Sequence, residues 1–289
     1  LELSFGRIFG RVIIVTLVLF ALLSCTTSIG LFTRAAQLTA LSKTPQIILP
    51  LAMLLCAAWS LYGGLSVIAR TASLLFYFSI ATFLYFLLSG LPLLDLRNIM
   101  PIMSHNLLNT ARSALSVFTN EFGDMILLLA MYTEIKRTKT RRKTMIIAMS
   151  CAGTCVCVIA AMTVLTLGGA QTDAEFFPVF TTLSVRNIGG YIQHMEIVTS
   201  IAMTFFVFTR QALTLYFIAS GLAHLAHVSV YRKFLVPTAL IIVSVTQLLY
   251  WNMMSLRARL EGDLNLYIAL PITLVFPLIF AVIERRRAP

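Results

Sequence analysis

Apolar residues in this chain come in long runs, not in the alternating pattern of a soluble strand or the narrow stripe of a soluble helix. The runs fall near residues 12–33, 47–69, 73–94, 107–135, 144–167, 191–221, 234–256 and 264–283. Each reaches roughly 20 residues, the helix length that crosses a ~30 Å bilayer core. The pattern predicts an all-α, polytopic helical membrane protein: one transmembrane domain over 1–289 with eight spans. Local signals mark some edges. Thr44 as a cap and Pro45 at the first helical position open the second span. Lys143 and Thr144 open the fifth, and Gly168 and Gly169 close it. The chain starts at Leu1, and its first run is too long for a signal-peptide core and carries no cleavage site, so it reads as a fragment cut at its N-terminus.

One run is interrupted. Between the apolar ends of 107–135 lie Thr119, Asn120, Glu121, Phe122, Gly123 and Asp124. The 12 residues before and 11 after each make about 16–18 Å of helix, which places the polar cluster near mid-membrane. Carboxylates there are costly unless paired or wet, and Gly123 allows the backbone to leave helical geometry. Broken helices of this kind hold substrates and coupling ions in secondary transporters. The competing reading is an unbroken helix with Glu121 or Asp124 paired to a cation. Arg210, the only basic residue deep in another span, is the candidate for that structural ion pair. Other polar residues in spans, Thr26 and Thr27 in the run 24–28 and Thr199 and Ser200 in the sixth span, are candidate pocket lining. Hydroxyls that merely bond their own helix are the alternative.

Composition agrees with the pattern: 59% of residues are hydrophobic and 11% charged, against about 25% charged in soluble domains. The net charge of +11 resides in short loop clusters beside spans, so it reports topology and anionic lipid, and nucleic acid is excluded as a partner. KRTKTRRK at 136–143 marks a cytoplasmic loop. Counting outward over eight spans puts Arg7, Arg11, Arg70, Arg232, Lys233 and Arg285 to Arg287 on the same side, with both ends cytoplasmic. Asp95, Asp173, Glu175, Glu261 and Asp263 fall outside. The five cysteines all lie in apolar runs and form no disulfide framework. Cys151 with Cys155, and His224 with His227, are spaced to share a metal, but packing and solvation account for them better, and no metal or other cofactor is implied. No nucleophile–base set or phosphate loop is present, so an enzyme is not expected. The outer segment 175–190 carries Phe176, Val179, Phe180, Leu183 and Ile188 on a rough helical stripe from Pro178. It reads either as a short amphipathic helix or as an ordered loop.

Several stretches in order carry a resemblance: Thr44-Pro45, GGLSVIAR at 63–70, DLRNIMPIM at 95–103, FTNEFGD at 118–124, LSVRNI at 183–188 and HMEI at 194–197. Together they resemble the B-subunit family of spore germinant receptors, the endospore germination permeases of the amino acid–polyamine–organocation transporter superfamily. The resemblance implies a transporter-like fold of two inverted five-helix repeats, here about eight spans with the first two family helices missing. It makes the broken span the family's sixth helix, with Phe118, Thr119, Asn120, Glu121 and Gly123 as ligand contacts. Glu121 would orient a polar or cationic group, and freed amides near Thr119 and Asn120 would hold a carboxylate. The implied function is nutrient sensing, with an amino acid as the probable ligand class, in the inner membrane of a spore-forming bacterium, with A and C subunits as partners. An ion-coupled amino-acid permease is the alternative.

Overall fold

The computed structural model describes residues 7–39, 41–100, 107–129, 141–184, 195–228, 230–250, 252 and 269–275. Among them every regular element is helical and none is a strand. Among the described residues, five helices are long and apolar enough to cross a membrane: Ile8–Thr39, Leu65–Leu93, Lys143–Leu167, Thr199–Leu225 and Tyr231–Leu249. The expected eighth span, 264–283, lies mostly outside the described residues. Contacts divide the chain into two compact units. One comprises Leu1–Ala72, His105–Glu134 and Phe206–Pro289; the other comprises Ser73–Ser104 and Ile135–Phe205.

The first unit is built on α1 (Arg7–Thr39). At 33 residues it is about 50 Å long, more than a bilayer core requires. Leu17, Ala21, Cys25, Ile29 and Phe32, spaced three or four apart, are buried along one face. A tight turn leads to α2 (Ile48–Tyr62), which runs back along α1. Arg34 Nη2 donates to Gln46 Oε1 at 3.0 Å and Gln37 Nε2 to the Thr44 carbonyl at 2.9 Å. The helix start expected at Thr44-Pro45 is displaced: Thr44 and Pro45 form turns, and the Ile48 amide donates to the Pro45 carbonyl at 3.1 Å before helix begins.

The second and third spans also divide elsewhere than expected. α2 stops at Tyr62, and Gly64 has φ +88°, a left-handed geometry that glycine adopts without penalty. Helix α3 (Leu65–Gly90) begins immediately afterwards. Arg70, read as a loop residue, is therefore inside α3, and GGLSVIAR starts a span instead of ending one.

α4 (Leu107–Phe122) continues as a 3₁₀ turn, Gly123–Leu129. The second half of α8 (Met195–Leu225) lies antiparallel to α1. Ser24 meets Arg210, Cys25 meets Gln211, Val18 meets Gly221, and Arg11 meets His227. Gly221 makes this approach possible, since a Cβ there would stand 2.6 Å from Val18 Cγ2. Val18 is stiff at χ1 and cannot swing away. Gly221→Leu is expected to force the helices apart at a cost of about 1–3 kcal/mol, read as a lowered midpoint of thermal unfolding in detergent. An unchanged midpoint would show that the contact is not tight.

α9 (Leu235–Leu249) follows a 3₁₀ turn, Tyr231–Phe234, and packs antiparallel on α2. Leu54, Ala57, Ala58 and Leu61 face Leu235, Ala239, Ile242 and Val243, all buried. Tyr250 ends the helix, buried, and its ring lies on Gly30. Its carbonyl accepts from Gln46 Nε2 at 2.8 Å and from Arg34 Nη2 at 3.3 Å.

The second unit holds α5 (Arg141–Leu167), α6 (Gly169–Ala174) and α7 (Pro178–Ser184), with most of α3. α5 ends where Gly168 takes φ +81°. Asn98 Nδ2 donates to the Leu165 carbonyl at 2.9 Å and the Asp95 amide to the same oxygen at 3.2 Å, which ties the 3₁₀ turn Leu96–Ile99 to the end of α5. Within the outer segment 175–190, Pro178–Ser184 is a helix, and residues 185–190, with Ile188, lie outside the described residues. Val179 and Leu183 pack the helix onto Phe86 and Met162, so its apolar stripe is held by its own unit.

Candidate functional site

Helix α1 has its polar run, residues 24–28, near its midpoint, and Arg210 stands near the midpoint of the 31-residue α8. The antiparallel packing of the two brings Ser24 beside Arg210. Asp124 enters from the 3₁₀ turn after Phe122. Ser24 Oγ donates to Asp124 Oδ1 at 2.5 Å, and Arg210 Nη2 donates to Ser24 Oγ at 3.2 Å. The same Nη2 forms an ion pair with Asp124 Oδ2. Three segments thus converge on one charged centre. A lone charge at mid-helix costs about 2.5–3.5 kcal/mol on insertion scales and more in simulations. Pairing here neutralises both charges, and Ser24 satisfies a further lone pair.

The neighbouring positions show how the centre is held. A Cβ on Gly123 would lie 3.0 Å from Thr273 Cγ2 and 3.7 Å from Phe20 Cζ. Thr273 belongs to a π-helical turn, Pro271–Val275, so the 3₁₀ turn is wedged between that turn and α1. Cys25 Sγ donates to Gln211 Oε1, and Gln211 Nε2 donates to the Cys25 carbonyl at 3.4 Å. One helical step away, Thr27 Oγ1 donates to the Leu23 carbonyl at 2.9 Å and shares a 2.7 Å bond with the Tyr250 hydroxyl.

The candidate residues of the polar cluster differ in what they present. The α-helix runs through Thr119, Asn120 and Glu121 to Phe122. The amides of Thr119 and Asn120 are consequently in helical backbone, not freed, and the departure from α-helix comes at Gly123, where winding tightens. Thr119 is buried and its hydroxyl donates to the Leu115 and Ser116 carbonyls at 3.0 Å. Phe118 stacks on Phe122, ring centroids 5.5 Å apart. The side chains of Asn120 and Glu121 lie outside the described residues. Thr26 is fully buried and its hydroxyl donates to the Leu23 carbonyl at 2.8 Å, so it offers that group to its own helix. Thr199 and Ser200 belong to the second unit, where the Ser200 carbonyl accepts from Thr204 Oγ1 at 2.8 Å.

Ser24 falls within the polar run 24–28 that the sequence marks as candidate pocket lining; Gln211, Tyr250 and Thr273 are the members that sequence reasoning did not single out. Gln211 had a usable signal, since it adjoins Arg210 in the middle of a span. Tyr250 and Thr273 had none, because chain-distant packing brings them in. Among the described residues no group of three His, Cys, Asp or Glu side chains could hold a metal. His227 Nε2 bonds Arg11 Nη2 at 2.8 Å, which engages one of its ring nitrogens.

Comparison with known proteins gives a consistent result. The family described as spore germination protein matches residues 1–253. The chain is similar to Spore germination protein KB of Bacillus subtilis (strain 168), 25% identical over 258 residues, covering 84% of this chain and 67% of that protein. No solved structure matches.

Proposed function

We propose that this chain, which belongs to the family of spore germination proteins, is the membrane subunit of a germinant receptor. It binds a small nutrient, an amino acid, in a transporter-like pocket, and occupancy triggers germination. The observation that carries this reading is the charged centre of Ser24, Asp124 and Arg210, where α1, α8 and the α-to-3₁₀ transition meet at mid-helix. Ionisable groups at that depth mark substrate and ion pathways, and a tightened or broken helix beside them is the way transporter folds build a ligand site.

In this reading the chain contributes eight spans of a ten-helix inverted-repeat fold, with both ends cytoplasmic in the inner membrane of a spore-forming bacterium. It acts with A and C subunits and without a cofactor. Glu121, Asp124 and Phe118 face the ligand, and Glu121 orients its cationic or polar group. An ion-coupled amino-acid permease is the second reading. The same scaffold serves both functions, and a half-buried carboxylate on a 3₁₀ turn suits ion coupling equally well. Glu121→Gln in the intact protein is expected to raise the nutrient concentration for half-maximal response by about tenfold, the loss of one charge-assisted hydrogen bond. An unchanged dose response would remove Glu121 from the site.

A further inference from the structure

The ion pair at the centre is asymmetric. Asp124 is 19% exposed, but the Arg210 side chain is 42% exposed. Its contacts with both Asp124 and Ser24 pass through one terminal nitrogen, Nη2. Guanidinium has five N–H donors in a planar fork and stays charged at any physiological pH. A mid-helix arginine that is 42% exposed and whose contacts among the described residues run through one nitrogen has donors arranged to take a carboxylate in bidentate fashion. Among the described residues its side-chain partners are the Ser24 hydroxyl and the Asp124 carboxylate, and Asp124 sits on a short 3₁₀ turn, not within a long helix.

We propose that Arg210 is the receptor for the ligand's carboxylate and that Asp124 is its resident stand-in, competing for the same guanidinium. This rests on the receptor reading above and deepens it to a substrate class: small molecules with a free carboxylate. When the carboxylate arrives it takes the open edge of the Arg210 fork and weakens the hold on Asp124. Asp124 keeps its bond from Ser24 or is released with the 3₁₀ turn. That turn is wedged against Thr273 at Gly123, so loosening Asp124 transmits ligand occupancy to the segment around 271–275. The exchange swaps one carboxylate for another on the same cation and breaks no covalent bond.

The test is equilibrium binding to the intact protein in nanodiscs. The probes are a labelled pool of L-amino acids and the same pool converted to carboxamides. The acids are expected to bind at least tenfold tighter than the amides. Asp124→Asn removes the internal competitor and is expected to tighten acid binding by about tenfold. Arg210→Lys keeps the charge but loses the fork, and is expected to weaken acid binding by about tenfold; this variant remains informative if Asp124→Asn does not fold. Equal binding of acids and amides, or loss of acid binding in Asp124→Asn, would overturn the carboxylate assignment and leave the receptor reading standing. Binding of neither pool to the parent protein would overturn both.

Discussion

Tyr250→Ala is expected to be the most damaging single substitution in the first unit, at about 3–5 kcal/mol, the range for removing a large buried aromatic side chain. Tyr250 is among the largest fully buried side chains. Its ring fills the space that Gly30 leaves on α1, where a Cβ would already come within 3.1 Å of Cδ2. Its hydroxyl bonds Thr27 at 2.7 Å. Alanine would leave a cavity that the three surrounding helices cannot close, because α1 and α2 are also tied to the Tyr250 backbone carbonyl through Arg34 and Gln46. Those bonds survive the substitution and hold the walls apart. Tyr250→Phe keeps the ring and loses only the hydroxyl bond, so its expected cost is about 1 kcal/mol. Denaturant unfolding in mixed micelles would separate the two variants. Equal losses would mean that the hydroxyl, not the ring, carries the effect.

The second large effect concerns the charged centre. Arg210→Leu leaves Asp124, on its 3₁₀ turn, with Ser24 as its remaining partner among the described residues. Breaking a fully buried pair from one side costs about 3–5 kcal/mol; with Arg210 42% and Asp124 19% exposed, the expected cost here is smaller, about 1–3 kcal/mol. The matching single, Asp124→Leu, strands the arginine. The double variant Arg210→Leu with Asp124→Leu removes both charges, and replacing a pair by apolar residues is often neutral or stabilising. The double variant is therefore expected to unfold at a higher temperature than either single variant, near the parent, yet to bind no nutrient. A double variant as unstable as the sum of the two singles would show that Asp124 and Arg210 do not interact in the membrane.

Helical architecture was readable from run length alone, because a bilayer forces spanning segments to satisfy their own backbone and leaves few alternatives. Runs such as 12–33 and 144–167 correspond to α1 and α5, with ends that extend by several residues. Boundaries were harder. The division at Gly63 and Gly64 was missed because Arg70 looked like the interruption, although a charged residue on α3 need only stay exposed, while a glycine at φ +88° must end a right-handed helix. The polar cluster at 119–124 was visible as chemistry out of place. Its geometry was not: the winding of a backbone depends on what packs against it, and Thr273 and Phe20 touch Gly123 from distant parts of the chain. Arg210 could be named as the partner of Glu121 or Asp124 because charges in apolar runs are rare; which carboxylate it meets could not be read from the sequence. Ser24, which bridges Arg210 and Asp124, is one hydroxyl in a run of several, and only the register between α1 and α8 selects it. Tyr250 carries no local mark at all.

In the receptor reading, the charged centre of Asp124 and Arg210 senses a nutrient without moving it. The direct measurement uses the intact protein in proteoliposomes, offered labelled amino acids, with bound and accumulated counts recorded separately in the presence and absence of an ion gradient. The receptor reading predicts saturable binding, equal with and without the gradient, and no accumulation in the lumen. Gradient-driven accumulation would contradict it and make the chain a permease.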